Sequence, residues 1–205
     1  MHMNYFGDSY DIVKQSLIRW LGHFGGWSVH PMMTESATAQ QVKAFERFLG
    51  ARMICTEVLT TSTDRGHFLS CASKCGNLFL DPDTGLSLRD SNLGSPKTKY
   101  LFAREFVQLI ERRPKALTLV FDQSFPRGEG RTCIAHKIEE IEAKGIHCFA
   151  YASHAYFILG GRDKTLVRRA FNRVISESGL PESRFLRGRA STSESVPGLP
   201  LPARG

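Results

Sequence analysis

Asp81-Pro82-Asp83-Thr84-Gly85 sets two carboxylates, a rigid ring, a hydroxyl and a glycine directly after the apolar run Asn77-Leu78-Phe79-Leu80. An apolar run of strand length bounded by turn formers reads as a buried strand. In an open α/β sheet the turn after such a strand is where ligands bind. A second run, Ala116–Phe121, stops at Asp122-Gln123-Ser124, which offers one cation ligand and two neutral hydrogen-bonding groups. Magnesium takes one or two carboxylates and completes its shell with water and phosphate, so Asp81 or Asp83 together with Asp122 suits that ion. The same aspartates also suit Asx turns and loop caps. Ser153-His154 breaks two apolar segments and offers either a general base near neutrality or a hydrogen-bonding turn. Arg127 and Arg131, in a glycine-containing loop after Asp122, have the donor geometry for phosphate.

Several chemistries lack their signature. There is no Gly-x-x-x-x-Gly-Lys-Ser/Thr loop and no Gly-x-Gly-x-x-Gly turn. Neither Ser124 nor Ser153 sits in a Gly-x-Ser-x-Gly elbow. His67, Cys71 and Cys75 are zinc-ligand types, but Cys-x3-Cys is not the usual structural spacing and no second pair follows, which leaves metal binding there undecided. Cys133 and Cys148 read as small core residues. Asp8 and Asp11 lie three apart at the start of a helix, as a cap and a first-turn acid or as a polar site on one face.

The elements that must position these groups follow from periodicity. Ile12, Val13, Leu17, Trp20 and Leu21 recur at helical spacing after Asp8-Ser9, with Lys14, Gln15 and Arg19 read as the polar positions between them. Trp27–Met33 reads as a strand, Ala39–Leu49 as a helix stopped by Gly50, and residues 51–59 as a second strand. His67–Ala72 is ambiguous. After the strand at Asn77–Leu80 come a polar loop (87–99), a helix (100–112), the strand 116–121, a helix (134–144) and a strand pair (146–151 and 155–159). Strands alternating with helices predict a Rossmann-like, mainly parallel sheet with helices on both faces and a C-terminal antiparallel strand pair. Right-handed crossovers then gather Glu35, Glu57, Asp81, Asp83, Asp122 and Ser153-His154 at one edge.

Of 205 residues, 41% are hydrophobic and 23% charged, an ordinary composition for a globular chain. The organisation expected is an α/β domain over 4–161, a basic amphipathic helix over 162–187 and a disordered tail over 188–205. Residues 1–161 carry 18 Lys/Arg against 16 Asp/Glu, whereas 162–205 carry 9 against 4. A basic segment on a near-neutral body suits nucleic-acid backbone, or simply a solvated helix. No apolar run reaches the roughly 20 residues that span a bilayer, and the N-terminus has no basic segment followed by an apolar one. With five cysteines, an odd number, a reducing cytoplasm is expected and no membrane partner.

Tyr5-Phe-Gly-Asp-Ser-Tyr-Asp-Ile-Val-Lys14, Leu78-Phe-Leu-Asp-Pro-Asp-Thr-Gly85, Val120-Phe-Asp-Gln-Ser-Phe125 and Ser153-His-Ala-Tyr-Phe157 resemble blocks of an uncharacterised bacterial and phage family, over most of residues 5–160. That resemblance carries no activity. Phe79-Leu-Asp-Pro-x-x-Gly85 is distantly similar to a Phe-Leu-Asp-Pro-Phe-Gly block of three-Cys-motif partner proteins. This likeness implies a class I methyltransferase fold with the block on its fourth strand, followed by helix, strand, helix and strand pair. The chain departs from it after Trp27–Met33, where no glycine-rich loop for S-adenosylmethionine follows.

Three functions are therefore expected in competition. One is a magnesium-dependent phosphodiester hydrolase acting on nucleic acid. Asp81, Asp83 and Asp122 hold the metal, His154 moves a proton, and Asp8, Ser124, Arg127, Arg131 and Ser153 contact substrate. Another is a methyltransferase-like enzyme with S-adenosylmethionine near Gly7-Asp8 and the end of the first strand. The last is a non-catalytic adaptor for nucleic acid or protein, binding through its basic C-terminal segment.

Overall fold

A computed structural model describes residues 6–89 and 96–188. Its strands are β1 (Trp27–His30), β2 (Arg52–Met53), β3 (Asn77–Leu80), β4 (Gly85–Ser87), β5 (Tyr100–Phe102), β6 (Thr118–Asp122), β7 (His147–Ala152), β8 (Tyr156–Gly161) and β9 (Phe185–Arg187). The helices are α1 (Ser9–Leu21), α2 (Ala39–Leu49), α3 (Arg65–Phe68), α4 (Ala103–Glu111), α5 (Gly130–Glu142) and α6 (Lys164–Ser178). Seven strands form one sheet in the order β2-β1-β3-β6-β8-β7-β9. The run β2-β1-β3-β6 is parallel, and β8 runs antiparallel to both β6 and β7, as β9 does to β7. This is the mainly parallel α/β sheet with an antiparallel C-terminal part that the alternation of elements predicts.

Both faces are covered. Leu17, Leu21, Phe45, Leu49, Val167 and Phe171 bring α1, α2 and α6 onto Val29, Phe79, Leu119 and Phe121. Phe68, Phe106, Ile110, Ile134 and Ile138 bring α3, α4 and α5 onto Leu78, Leu80, Val120 and Ile158. Successive strand residues point to opposite faces, so strands buried on both sides are continuously apolar, as β3 is at Leu78-Phe79-Leu80. Fully burying each of these side chains contributes about 1.5–3 kcal/mol.

The helix signals act locally as expected. Thr38 and Gln41 form a reciprocal capping box, with the Gln41 N–H donating to Thr38 Oγ1 and the Thr38 N–H to Gln41 Oε1. Several elements differ from the sequence reading: the strand read over Trp27–Met33 ends at His30, and the helix read over 134–144 begins at Gly130. The stretch 51–59 forms strand only at Arg52–Met53; beyond it, Ile54 and Leu59 donate single bonds to Val29 and Met33 carbonyls. Tyr100–Phe102 is not the first turn of α4 but a strand, paired in parallel with Gly85–Ser87 to form a small second sheet. The segment 162–187 is integral: α6 buries Val167, Ala170, Phe171 and Val174 beside α1, and β9 closes the sheet edge. Its amphipathic pattern leaves an apolar stripe that needs a partner, and the sheet supplies it. The middle of the polar loop (90–95) and the tail expected to be disordered (189–205) lie outside the described residues.

Candidate functional site

Asp8 caps α1, its Oδ1 accepting the Asp11 N–H at 3.0 Å. Asp11, in the first helical turn, accepts the Gly7 N–H at 2.8 Å through Oδ2. Its other oxygen, Oδ1, lies 2.9 Å from Lys14 Nζ, one turn along the same face. The ammonium reaches across to the end of β3 and meets Asp81 Oδ2, also at 2.9 Å. Asp11, Lys14 and Asp81 are only 3%, 6% and 1% exposed, so the triad is an interior ionic cluster. The Phe121 ring lies 4.8 Å beneath the ammonium and contributes a cation–π contact.

Burial pulls the Lys14 ammonium down, but the Asp81 and Asp11 charges and hydrogen bonds outweigh it and its pKa rises. Burial likewise pushes the Asp81 carboxyl up, against the pull of Lys14. The two directions agree with one picture. A single ammonium serves two acids, so it is held charged while the cluster stays short of one positive charge.

Asp81 and Lys14 sit on the wall of a cleft of about 390 Å³ whose other lining residues include Asp8, Tyr10, Asp83, Lys99 and Gln123. The cleft lies at the carboxyl ends of β3 and β6, beside the start of α1. The strand order reverses next to it, between β1 and β3. β1 and β3 are neighbours, tied at this end by the Asp81 N–H donating to the His30 carbonyl at 3.1 Å. The carboxyl ends of the strands are where open α/β sheets bind ligands. Four aspartates (8, 11, 81 and 83) face two lysines (14 and 99) around the cleft, a formal balance of −2 when all are ionised. Asp83 accepts from Thr34 Oγ1 at 3.2 Å and from there lines the opening.

Asp122 lies at the same edge but on the other face. Leu80 pairs with Val120, so Asp81 follows Phe79 toward α1 and Asp122 follows Val120 toward α5. Asp122 is fully buried, and its Oδ2 accepts from Lys137 Nζ at 2.6 Å. Ser124 completes the cluster: its hydroxyl lies 2.6 Å from Asp122 Oδ1 and 2.7 Å from Lys137 Nζ, and its N–H donates to Asp122 Oδ1 at 2.8 Å. Gly85 makes room. A Cβ there would fall 2.2 Å from Asp122 Oδ1 and 2.8 Å from Asp122 Cα, and its φ is +137°. Ser124 and Lys137 line a second cleft of about 550 Å³, with Ser87, Cys133 and His136 among its residues.

The structure thus brings Asp8, Asp81 and Asp83 together and sets Asp122 and Ser124 apart from them. Each of Asp81 and Asp122 already faces a buried ammonium. Arg131 donates to the Ser183 carbonyl at 2.9 Å and holds the turn before β9, while Arg127 is exposed in the loop ahead of α5. Ser153 donates its N–H to the Ala155 carbonyl at 2.8 Å across the β7–β8 turn, and His154 is exposed at its tip. None of these four lines the Asp81 cleft.

Lys14 and Lys137 escaped the sequence reading because each occupies a polar-looking slot in an amphipathic helix. Asp11-x-x-Lys14 spacing is the one local signal for the first; nothing adjacent marks the second. Of the zinc-ligand types in the sequence, His67 is exposed and Cys75 Sγ donates to the Cys71 carbonyl at 3.5 Å. Cys71 instead lies close to His30 and Cys55.

No protein-family model matches the chain, and no curated protein or solved structure matches it either. Among the described residues no helix is long and apolar enough to cross a membrane.

Proposed function

We propose that this protein is a methyltransferase-like enzyme whose Asp81 cleft takes a cationic small molecule, with S-adenosylmethionine as the ligand. The observation that carries this reading is an acidic cleft at the carboxyl ends of two parallel strands, β3 and β6, of an open α/β sheet. Charge selects the ligand class. A cleft with four carboxylates and two ammoniums attracts a sulfonium or an amine and repels a phosphodiester. Asp8 and Asp83 line the cleft beside the Lys14 cluster and would meet ligand hydroxyl or amine donors there. Lys99 is offered to a carboxylate, and the Tyr10 ring to the sulfonium. The loop leaving β1 lacks glycine, yet Met32 holds φ +47° there, the left-handed conformation that glycine adopts readily.

S-adenosylmethionine at about 100 times its Kd adds about 2.7 kcal/mol to stability. For a chain of this size that raises Tm by about 5–11 °C. Asp83→Asn is expected to reduce the shift. A flat response at saturating S-adenosylmethionine overturns the reading.

A magnesium-dependent phosphodiester hydrolase is the second reading, favoured by Asp81 and Asp83 sharing one cleft beside Lys99. It requires manganese or magnesium to raise Tm and Asp83→Asn to abolish nucleic-acid cleavage. Nucleic acid, as substrate or adaptor partner, would dock on the exposed Lys164, Arg168, Arg169 and Arg173 of α6. Binding that is insensitive to salt removes that surface from consideration.

A further inference from the structure

On the α3 face of the sheet, away from the Asp81 cleft, three segments remote in sequence converge. They are the end of β1 at His30, the irregular chain after β2 at Cys55, and the 3-10 turn Ser70–Lys74 after α3 at Cys71. A ring nitrogen of His30 and the sulfurs of Cys55 and Cys71 all lie within 4.8 Å of one another, the only such set of three ligand groups among the described residues. Tetrahedral zinc with metal–sulfur bonds of about 2.3 Å places two sulfurs about 3.8 Å apart. Closing the set on an ion therefore needs movements of no more than about 1 Å. We propose that His30, Cys55 and Cys71 form a site for one zinc-class divalent cation.

The donor chemistry selects the ion. Two thiolates and an imidazole are soft-to-borderline ligands that suit zinc and reject magnesium. The Met32 N–H donates to His30 Nδ1 at 3.3 Å, and Nε2 donates to the Phe68 carbonyl at 3.0 Å. An ion on Nδ1 would therefore displace the longer Met32 bond, while the Nε2–H bond to a backbone carbonyl would hold the ring as such bonds hold metal-bound histidines. Cys71 Sγ points at the same Phe68 carbonyl, at 3.6 Å. Binding releases one proton from each thiol to solvent and forms two metal–sulfur bonds and one metal–nitrogen bond. The fourth position falls to water.

An ion here has work to do. The chain from Cys55 to Asp64 contains no strand or helix. A cation held by all three segments ties it to β1 and α3 and adds binding free energy to folding.

The test is cobalt titration of the full-length, reduced, metal-stripped protein, read by absorbance, with zinc as competitor. Thiolate-to-cobalt charge transfer and intense tetrahedral d–d bands are expected at one ion per chain, abolished by stoichiometric zinc. Cys55→Ser and Cys71→Ser should each weaken binding by about 10–100-fold or more, while His67→Ala and Cys133→Ser retain it. Absence of thiolate bands in the wild-type protein overturns the site, and needs no variant to fold. Bands that persist in both serine variants overturn it too, as does a Cys55–Cys71 disulfide whose reduction yields no metal uptake.

Discussion

Replacing Lys14 with methionine tests the interior ion cluster directly. At an effective dielectric near 20, each 2.9 Å contact of Lys14 Nζ, to Asp11 and to Asp81, is worth about 6 kcal/mol of Coulomb attraction. Desolvating three charges opposes most of that, so the intact cluster contributes little net stability. Removing only the ammonium is different, because two carboxylates stay buried with no cation. The cost expected for Lys14→Met is about 3–5 kcal/mol, a large share of the stability of any domain. Chemical denaturation should show it as a lowered midpoint, and heating as a fall in Tm of about 6–20 °C. Asp81→Asn keeps the Lys14–Asp11 pair and should cost only about 1–2 kcal/mol. The double variant should be more stable than the sum of the single losses predicts, with a coupling of about 1–3 kcal/mol.

The pH dependence has a fixed sign. Asp81 binds its proton more tightly in the fold than at its ordinary 3.8, so its ionisation weakens the fold as pH rises through that window. Without Lys14 this pull is stronger. The gap between wild type and Lys14→Met should therefore widen from acid to neutral pH. A Lys14→Met protein within about 0.5 kcal/mol of wild type at neutral pH, the range of ordinary surface changes, refutes the cluster as described.

Lys137→Met should likewise cost about 3–5 kcal/mol by stranding Asp122, measured by urea denaturation; a neutral result means that Asp122 is not sealed on the α5 face. Gly85→Ala should cost about 3 kcal/mol, because the added methyl meets the Asp122 backbone, which cannot swing aside. That loss should persist in an Asp122→Asn background, since the methyl still collides with the backbone of residue 122; full rescue there would show that the side chain alone sets the requirement.

The fold was legible in the sequence wherever one residue pattern admits one partner. Thr38–Gln41 and Gly50 delimit α2, and Leu78-Phe79-Leu80 is apolar on both faces because it is buried on both. The Tyr100–Phe102 strand was not legible. It continues without a break into the periodicity of α4, and only its distant neighbour Gly85–Ser87 makes it a strand. For the same reason the basic content of 162–187 pointed to an appendage. Charges on the outer face of α6 say nothing of the stripe beneath them, which packs beside α1.

The candidate site divides along the same line. Strand ends predict which edge a carboxylate reaches, and Asp81 and Asp122 do share one. Which face it reaches depends on parity within the strand and on register between strands, here Leu80 against Val120. One residue of difference sends Asp81 to α1 and Asp122 to α5, and each then requires its own cation from a helix. Lys14 and Lys137 meet that need, so the two aspartates build the rim and do not converge on a ligand. Asp8 and Asp83 line the same cleft on the α1 side. In the proposed reading Asp81 anchors the wall of the cleft and Asp83 contacts the ligand. Asp83→Asn should consequently alter ligand binding with little change in stability, and Asp81→Asn should show the stability loss first.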